Sequence, residues 1–422
     1  MSKTSDISGF YKLDRKKRLK IVKKFAELSD KDVTTLKKTG ALDYEQANRM
    51  IENVIGTMEL PLGIAVNFLI NGKDYLIPMA IEESSVVAAA SNGAKIARVR
   101  GGFEAESTPP EMIGQIQLTG LKDMERAKQN IMEKKDEILE LANEQDPVIV
   151  ELGGGAKDLK IREIETPRET MIIIHLIIDV RDAMGANVVN TMAEAVAPLI
   201  EKITGGRVYL RIVSNLATHR LARAKAVFDK EAVGGEEVVD GILEAYAFAA
   251  SDPYRCATHN KGVMNGVVAL ALATGNDTRA LESGAHSYSA LGGNYRPLTS
   301  WMKDETGNLI GEIELPVAAG ILGGATKLNP VADVCLKILG IKSARELGEV
   351  MASLGLAQNL AALRALASEG IQRGHMRLHA RNIASLAGAK GELIDEVAKR
   401  LIDENQINVK RAEEILRKIS EK

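Results

Sequence analysis

The sequence predicts an α+β protein: a large, mostly helical domain, interrupted by a small α+β module and followed by a helical C-terminal segment. Apolar residues recur at helical spacing over residues 15–28. Strand and helix patterns alternate over residues 114–213, as is typical of a separate α+β module. With 422 residues, of which 45% are hydrophobic, the chain can bury aliphatic cores in two or three domains.

The first 60 residues are expected to be helical and to begin at capping residues. Ser29 and Asp30 can cap the helix that follows residues 15–28, because their side-chain oxygens accept hydrogen bonds from free backbone amides. Asp43 can do the same for a segment that runs through Glu52.

A β-hairpin and a helix of small residues are predicted next. Residues 63–68 and 74–81 have strand character and flank Asn71-Gly72, a dipeptide that strongly favours a tight hairpin turn. Residues 84–97 are mostly small, which allows a helix to pack closely against its neighbours. Pro109-Pro110 indicates a domain boundary.

The rest of the chain divides into three predicted parts. Residues 111–215 should form the small module, with strands at 115–118, 171–180 and 208–213 and helices at 124–143 and 188–203. Helical character is expected to return over residues 216–374. Residues 375–422 are charged and helical, and glycines at 370 and 374 would let them move as a lid.

Composition excludes several classes of protein. Lys+Arg number 55 and Asp+Glu 57, a net charge of -2, and no basic stripe is interleaved with aromatic residues, which argues against nucleic acid as a partner. Cys256 and Cys335 are too few for a disulfide framework or a zinc site. Residues 1–20 lack the apolar core of a secretory signal, and residues 171–180 are too short to span a bilayer. The sequence therefore predicts a cytoplasmic protein without a membrane partner.

The segment from 257 to 266 is the leading candidate for a functional site. Lys261 precedes an apolar run that needs no lysine for packing, and Asp277 follows Gly275, which is expected to end that helix. A buried ammonium group facing a carboxylate is costly unless both groups are used. The alternative is a solvated lysine on a core helix.

Two further segments combine charge with a turn. Glu82 and Glu83 follow a strand and precede the small-residue helix, so they either satisfy a helix N-terminus or supply a general acid. Residues 182–187 lie between a strand and a helix, the architecture that binds phosphate through backbone amides. The alternative for this segment is an ordinary connection capped by Asp182.

His375 and His379 lie four residues apart, on one face of a helix if this segment is helical. A metal pair at this spacing would want a third ligand and usually an intervening glutamate, and neither is apparent, so no metal site is expected. His375 as a proton donor on a mobile segment is the functional interpretation, and a surface histidine is the alternative.

In order and spacing these motifs resemble the hydroxymethylglutaryl-coenzyme A reductase family over nearly the whole chain. The residues that carry the resemblance are Glu52 to Gly56, Pro78-Met79 leading to Glu83, Asp182 to Gly185, Arg255 to Asn265, Asn276-Asp277, Gly323 to Thr326 and Gly374 to Met376. The chain is similar to the soluble prokaryotic class II. It has Glu82-Glu83-Ser84-Ser85 where the eukaryotic class has a Thr-Thr-Glu-Gly pattern. Arg381 occupies the place of a regulatory serine in animal enzymes, so control by phosphorylation is not expected.

The resemblance implies a fold and a reaction. It implies a large domain for substrate and coenzyme A over 1–110 and 216–374, a small ferredoxin-like nucleotide-binding domain over 111–215, and a mobile lid over 375–422. The reaction interconverts 3-hydroxy-3-methylglutaryl-coenzyme A and mevalonate plus coenzyme A by two hydride transfers. The active sites are shared within a homodimer, which can assemble further.

The resemblance also assigns roles to residues. Lys261 stabilises the oxyanion, Asp277 orients that lysine, Glu83 protonates the second-step product, and His375 protonates the leaving thiolate. Arg255, assisted by Ser85 and Asn265, binds the substrate carboxylate.

For the cofactor, the resemblance assigns Asp182, Met184, Gly185 and Asn187 to the dinucleotide loop and Asp146 to the adenosine ribose. A carboxylate at the ribose repels a 2'-phosphate, so NADH is expected to be preferred, with NADPH possible. The alternative for Asp146 is a turn residue before Pro147.

Two other kinds of protein remain as alternatives. One is a non-catalytic protein that binds coenzyme A or a nucleotide on the same fold. The other is an acyl-CoA or aldehyde dehydrogenase with a nucleophilic cysteine, although neither Cys256 nor Cys335 has an evident base beside it in sequence.

Overall fold

The computed structural model describes residues 3–323, 328–368 and 371–420. The fold is α+β, as predicted. Its N-terminal elements are α1 (Arg15–Ala26), α2 (Asp30–Lys37), α3 (Tyr44–Met50), β1 (Leu62–Ile70), β2 (Lys73–Ala80), α4 (Val86–Arg98) and β3 (Glu104–Ser107).

The predicted capping residues start their helices, and the predicted turn joins the first two strands. The Ser29 hydroxyl accepts from the amide of Asp32 and starts α2, and Asp43 accepts from the amide of Gln46 and starts α3. Asn71, with φ of 49°, and Gly72, with φ of 75°, connect β1 to β2 in the left-handed conformation that a two-residue hairpin turn requires.

The predicted small module contains its own sheet and its own apolar core. Its elements are β4 (Glu111–Thr119), α5 (Met124–Glu133), α6 (Lys135–Asn143), α7 (Pro147–Glu151), β5 (Gly155–Glu165), β6 (Thr170–Asp179), α8 (Ala186–Thr204) and β7 (Arg207–Ser214). The antiparallel strand order β5-β6-β4-β7 gives the ferredoxin-like arrangement. Strand β5 was missed by the sequence analysis, and the single helix expected over 124–143 is divided at Lys134.

The described part of residues 216–374 is mostly helical, as expected, but it also contains three strands that were not predicted. This part contains β8 (Leu221–Phe228), α9 (Lys230–Val233), α10 (Glu236–Ser251), α11 (Pro253–Ala273), α12 (Thr278–Ser289), β9 (Thr299–Lys303), β10 (Leu309–Pro316), α13 (Pro330–Leu339) and α14 (Ala344–Ala367). Strands β8, β9 and β10 form a sheet with β3 in the order β3-β8-β10-β9. Along β8 and β10 buried residues alternate with more exposed ones, the period-two pattern of a half-buried strand.

Helix α14 is the central element of the large domain. It packs against α4, α11 and β8, and a Cβ on Gly93 of α4 would lie 2.3 Å from the Ala357 carbonyl oxygen, so only glycine permits this crossing. By length and composition α14 could cross a membrane, but 67% of its apolar window is buried inside the protein. Its apolar surface is therefore already used in packing.

The C-terminal helices α15 (Ile371–Leu386), α16 (Leu393–Asp403) and α17 (Val409–Ser420) enclose a separate apolar cluster that includes Ala384, Val397 and Leu401. Gly374 lies within α15 rather than at a hinge, and Gly370 lies outside the described residues. The domain boundaries and the mobility of this segment stay predictions.

Candidate functional site

Glu83 and Lys261 are in direct contact. The Lys261 Nζ donates to Glu83 Oε2 at 2.7 Å, although the residues are 178 positions apart. Glu83 lies in the turn between β2 and α4, and Lys261 lies in the middle of α11. Their side chains are 36% and 58% exposed, respectively, and an ion pair this exposed contributes little to stability. The contact thus places two predicted catalytic groups together at the surface.

One face of α11 collects the predicted substrate-binding residues. At about 100° per residue, Arg255, Lys261 and Asn265 fall within roughly 120° of the helix circumference. All three are exposed or half-buried. Within the part of the chain that the structure describes, no acidic side chain pairs with the Arg255 guanidinium, which leaves its donors available to an anionic ligand.

The buried side of α11 is fixed by hydrogen bonds. His259 Nε2 lies 2.7 Å from the Thr299 hydroxyl, which donates to Asn359 Oδ1 at 2.9 Å. Because the hydroxyl hydrogen is used by Asn359, the imidazole donates through Nε2. Asn260 donates to Ser289 and accepts from the amide of Leu298. These bonds hold α11 against α12, α14 and β9.

His259 gives this core a pH dependence. Burial, assisted by the Arg255 charge, lowers the pKa of His259 from 6.5 to about 4. Below pH 6.5 the unfolded chain gains a proton that the folded protein excludes, so we expect the free energy of unfolding to fall between pH 6.5 and 4, by up to roughly 3 kcal/mol. Denaturant unfolding at several pH values measures this slope.

The matched variants for that measurement are His259→Gln and His379→Gln. Glutamine at 259 keeps an N–H donor for Thr299 but cannot titrate, so the slope between pH 6.5 and 4 should become shallower. His379 is exposed, in α15, and its replacement should leave the slope unchanged. An unaltered slope in His259→Gln would show that other groups cause the acid destabilisation.

Ser85 lies beside Glu83 in an unusual conformation. Its φ is 75°, in the left-handed region, at the N-cap of α4, and its side chain makes no capping hydrogen bond. A non-glycine residue in this region carries strain of about 1–3 kcal/mol, and such residues occur often at ligand sites. Its hydroxyl is therefore not committed to the helix end.

Asp277 is located differently from the expectation. One oxygen accepts from the amides of Arg279 and Ala280 and caps α12, and the other lies 2.9 Å from the Arg279 guanidinium. Among the described residues the predicted contact between Asp277 and Lys261 is not formed. The capping function orients the carboxylate toward its own helix, and Glu83 is the partner of the lysine.

The predicted dinucleotide loop lies between β6 and α8. Gly185, with φ of 102°, precedes α8, and an added Cβ would lie 2.6 Å from the side chain of Val180. Asn187 is exposed in the first turn of α8. Asp182, in contrast, accepts from the Ala344 amide at 2.7 Å and so joins the loop to α14. The Met184 carbonyl accepts from Arg220, a buried residue that the sequence analysis missed.

Asp146 caps α7, with its Oδ1 accepting from the Ile149 amide at 3.1 Å. This is the turn function that the sequence analysis gave as the alternative, and it leaves the second carboxylate oxygen uncommitted. Two cations lie near the end of α7: Lys157 donates to the Gly153 carbonyl, and the Arg181 side chain approaches Gly153.

The backbone of His375 belongs to α15, but its side chain lies outside what the structure describes, as do residues 324–327. Its distance to Lys261 therefore stays a prediction. Across the described ranges, no group of three His, Cys, Asp or Glu side chains could hold a metal ion.

A cleft of about 1400 Å³ lies between the N-terminal helices, residues 57–64 and α4. Glu83 and Lys261 are not part of the cleft wall. Helix α4, which follows Glu83, contributes Val87 and Ser91 to that wall. The cationic side chains of its wall are Lys12, Arg15, Arg18, Lys38 and Lys95. The cleft can accept a large ligand that carries negative charge.

Sequence comparisons identify relatives over the whole chain. A family model described as hydroxymethylglutaryl-coenzyme A reductase matches residues 14–380. The chain is 62% identical over 416 residues to 3-hydroxy-3-methylglutaryl-coenzyme A reductase of Archaeoglobus fulgidus, covering 99% of this chain and 95% of the relative. It is 35% identical to a probable enzyme of that name from Borreliella burgdorferi, covering 96% and 94%.

Solved structures agree with these relatives. The 3-hydroxy-3-methylglutaryl-coenzyme A reductase of Streptococcus pneumoniae superposes with a TM-score of 0.84 at 40% identity, covering 98% of this chain and 99% of that one. A structure of the class II enzyme from that organism bound to NADPH, in open conformations, gives a TM-score of 0.82, covering 97% and 100%.

Proposed function

The chain belongs to the hydroxymethylglutaryl-coenzyme A reductase family, and on that premise we propose how its own residues reduce 3-hydroxy-3-methylglutaryl-coenzyme A to mevalonate. It is an oxidoreductase that uses a nicotinamide cofactor. The observation that carries the assignment of residues is the contact between Lys261 and Glu83 beside the polar face of α11.

Lys261 provides the positive charge that the reaction needs. The bound nicotinamide supplies hydride, and each reduction places negative charge on the carbonyl oxygen of the substrate. An ammonium group already fixed by Glu83 lies ready to stabilise that oxygen without reorganising. Asp277, at the start of α12, is proposed to join this site when the substrate is bound.

Protons come from two other groups. Glu83 is ion-paired with Lys261 and must first take up a proton from solvent; it is then proposed to give that proton to the oxygen formed from the aldehyde in the second reduction. His375 of α15 is proposed to protonate the coenzyme A thiolate as it leaves. The proposal for His375 is supported by its sequence motif, Gly374-His375-Met376.

The substrate carboxylate is proposed to bind Arg255, with Ser85 and Asn265 as further donors. Arg255 and Asn265 share the α11 face with Lys261, and the Ser85 hydroxyl is not used to cap α4. The cleft along α4 is suited to the phosphate groups of coenzyme A, since lysine and arginine side chains are part of its wall.

The residues between β6 and α8 fit a dinucleotide. Gly185 has a positive φ and packs directly against Val180, which lets the loop turn into α8, and the N-terminus of this 19-residue helix directs free backbone amides at the loop. We therefore assign Met184, Gly185 and Asn187 to the cofactor, with Asp182 holding the loop in place through Ala344.

NADH is the proposed preferred form of the cofactor, because the free oxygen of Asp146 would repel a 2'-phosphate. Lys157 and Arg181 are the observation that favours NADPH instead. We expect kcat/KM with NADH to exceed that with NADPH by about tenfold, equivalent to about 1.4 kcal/mol, and Asp146→Ala to narrow this ratio. Steady-state rates of 3-hydroxy-3-methylglutaryl-coenzyme A reduction with each cofactor measure both.

The same assay tests the function. Consumption of two equivalents of reduced cofactor per mevalonate formed is the expected result, and no mevalonate with either cofactor would overturn the assignment. If kcat/KM with NADPH equals or exceeds that with NADH, the proposed activity still holds, but Asp146 acts only as the cap of α7.

The enzyme is proposed to act as a homodimer with shared active sites, or as a larger oligomer built from dimers. Support comes from residues 51–62, where Ile51, Ile55 and Met58 are 65%, 103% and 90% exposed, respectively. Apolar side chains this exposed in one segment are typical of an interface. Light scattering should give at least twice the chain mass of 45.5 kDa, and an active monomer would contradict the proposal.

The alternatives fit less well. Burial raises the pKa of the Cys256 thiol to about 11 and that of Cys335 to about 12, so neither is suited to be the nucleophile of a thiol-dependent dehydrogenase. A binding protein without catalysis would not need Lys261 and Glu83 in contact at the surface.

A cytoplasmic location is proposed, in keeping with the packing of α14 inside the fold.

A further inference from the structure

Arg220, directly before β8, is a buried cation with an unusual set of partners. Its side chain is among the buried polar groups, at 5% exposure. One terminal nitrogen donates to the carbonyl oxygens of Ala183 at 3.1 Å and Met184 at 3.0 Å. The other donates to the Ala319 carbonyl. All three acceptors are main-chain oxygens, so the arginine binds backbone at two separate places.

Those places belong to different parts of the protein. Ala183 and Met184 are in the loop between β6 and α8, whereas Ala319 follows β10 in the large domain. The two segments touch: a Cβ on Gly320 would lie 2.4 Å from the Met184 nitrogen, and Ala183 forms an isolated parallel bridge with Leu322. Arg220 therefore spans the junction between the dinucleotide loop and the large domain.

The large-domain side of this junction leads to Asp277, one of the proposed catalytic residues. The Gly320 amide donates to Asn276 Oδ1 at 2.8 Å. Asn276 immediately precedes Asp277, which starts α12. A continuous chain of hydrogen bonds and backbone contacts thus runs from the Met184 loop, through Arg220 and Ala319-Gly320, to the start of α12.

A buried guanidinium group is not needed merely to fill this space. Burial of a charge is unfavourable, and well-packed apolar residues often replace buried charges without loss of stability. Burial lowers the pKa of Arg220 to about 10, and the nearby carboxylates of Asp179 and Asp182 oppose that shift, so the group stays charged at neutral pH. Its planar set of donors satisfies three carbonyl groups at once, which a lysine ammonium in one position cannot reproduce.

We propose that Arg220 is a positioning residue for the nicotinamide cofactor, because it fixes the Ala183-Met184 segment relative to Asn276 and Asp277. This inference rests on the proposed function of residues 182–187 as the dinucleotide loop. Loss of the arginine should allow the loop to shift away from the catalytic groups while the substrate face of α11 is unaffected. Cofactor affinity and kcat should therefore change, and substrate binding should not.

The test compares Arg220→Lys with Arg223→Lys. Arg223 lies three residues further along, in β8, and pairs with Glu314 and Glu106 rather than with the loop. Equilibrium binding of NADH, followed by its fluorescence, should weaken about tenfold or more in Arg220→Lys, the effect of losing one hydrogen bond from a charged donor. The KM for 3-hydroxy-3-methylglutaryl-coenzyme A should change less than about twofold. Arg223→Lys should match the wild-type chain in both measurements.

Two results would overturn the inference. One is unchanged NADH binding in Arg220→Lys; the other is an equal loss of cofactor and substrate binding, which would indicate general disruption. The variant Asn187→Ala separates this inference from the loop assignment. If Asn187→Ala weakens NADH binding and Arg220→Lys does not, the loop assignment stands and the role of Arg220 fails. If neither changes NADH binding, both fail.

If Arg220→Lys does not fold, the variant Gly320→Ala tests the same proposal. Its new Cβ would lie against Met184 and displace the same loop from the large-domain side. Weaker NADH binding with unchanged substrate KM supports the proposal, whereas unchanged NADH binding in a folded Gly320→Ala overturns it.

Discussion

Replacement of Lys261 by alanine is expected to lower kcat at least a hundredfold with both 3-hydroxy-3-methylglutaryl-coenzyme A and mevaldehyde. Both reductions place negative charge on the same substrate oxygen, and removal of one preorganised donor to such an oxygen commonly costs about 10²–10³ in rate. The substrate KM should change little, since Arg255 is the proposed ligand of the substrate carboxylate. Steady-state kinetics with each substrate measures the loss.

Lys225 offers a matched control for Lys261. It pairs with Glu312 at 2.8 Å, and its side chain is 49% exposed, close to the geometry and exposure of the Lys261 pair. Lys225→Ala should therefore have wild-type activity and a similar effect on stability. If Lys261→Ala kept more than about a tenth of wild-type turnover, the lysine would not be the group that stabilises the oxyanion.

Much of the fold could be predicted because local chemistry determines it. Ser29 and Asp43 cap the helices that they were expected to cap, and Asn71-Gly72 forms the expected turn. In β10 Ile313 and Leu315 alternate with Glu312 and Glu314, a pattern that indicates a strand, but β8 could not be found from local chemistry. In β8 three of the four buried positions are alanines, at 222, 224 and 226, with Phe228 as the fourth, and alanine favours helices more than strands. Tertiary packing against α14 decides the conformation there.

The site was predictable only where residues are neighbours along the chain or along a helix. Arg255, Lys261 and Asn265 share a face of α11 because helical spacing places them there. The partner of Lys261 could not be read from the sequence, because Glu83 and Asp277 are both carboxylates at helix starts. The structure brings Glu83 to the lysine, while Asp277 uses its oxygens as a cap.

The contacts of Arg220 could not be predicted from the sequence. In sequence it is one arginine before a strand, in the segment His219-Arg220-Leu221, with nothing to distinguish it from Arg223. Its importance depends on three carbonyl groups that come from positions 183, 184 and 319. Backbone acceptors carry no sequence signal, so only the folded chain reveals such a contact.

Replacement of Glu83 by glutamine is expected to lower kcat for mevaldehyde reduction at least a hundredfold. Glutamine has nearly the same shape as glutamate and can still accept a hydrogen bond from Lys261 through its amide oxygen, so the local structure should be preserved. It cannot transfer a proton to the alkoxide, and proton transfer from a positioned side chain contributes about 10²–10⁴ in rate. Reduction of the thioester should fall to the same level, because the aldehyde formed first must pass through the same step.

Replacement of the neighbouring Glu82 distinguishes proton transfer by Glu83 from a general effect of negative charge at this helix end. Glu82 is exposed and adjacent in sequence, whereas the ion pair and hydrogen bond of Lys261 are made with Glu83. Glu82→Gln removes the same charge near the start of α4, and its activity should be close to that of the wild-type chain. Equal losses in Glu82→Gln and Glu83→Gln would mean that the negative charge at this helix end matters rather than a proton from Glu83. A full loss confined to Glu83→Gln, with an unchanged KM for mevaldehyde, identifies Glu83 as the proton donor, because a residue that only binds substrate would alter KM.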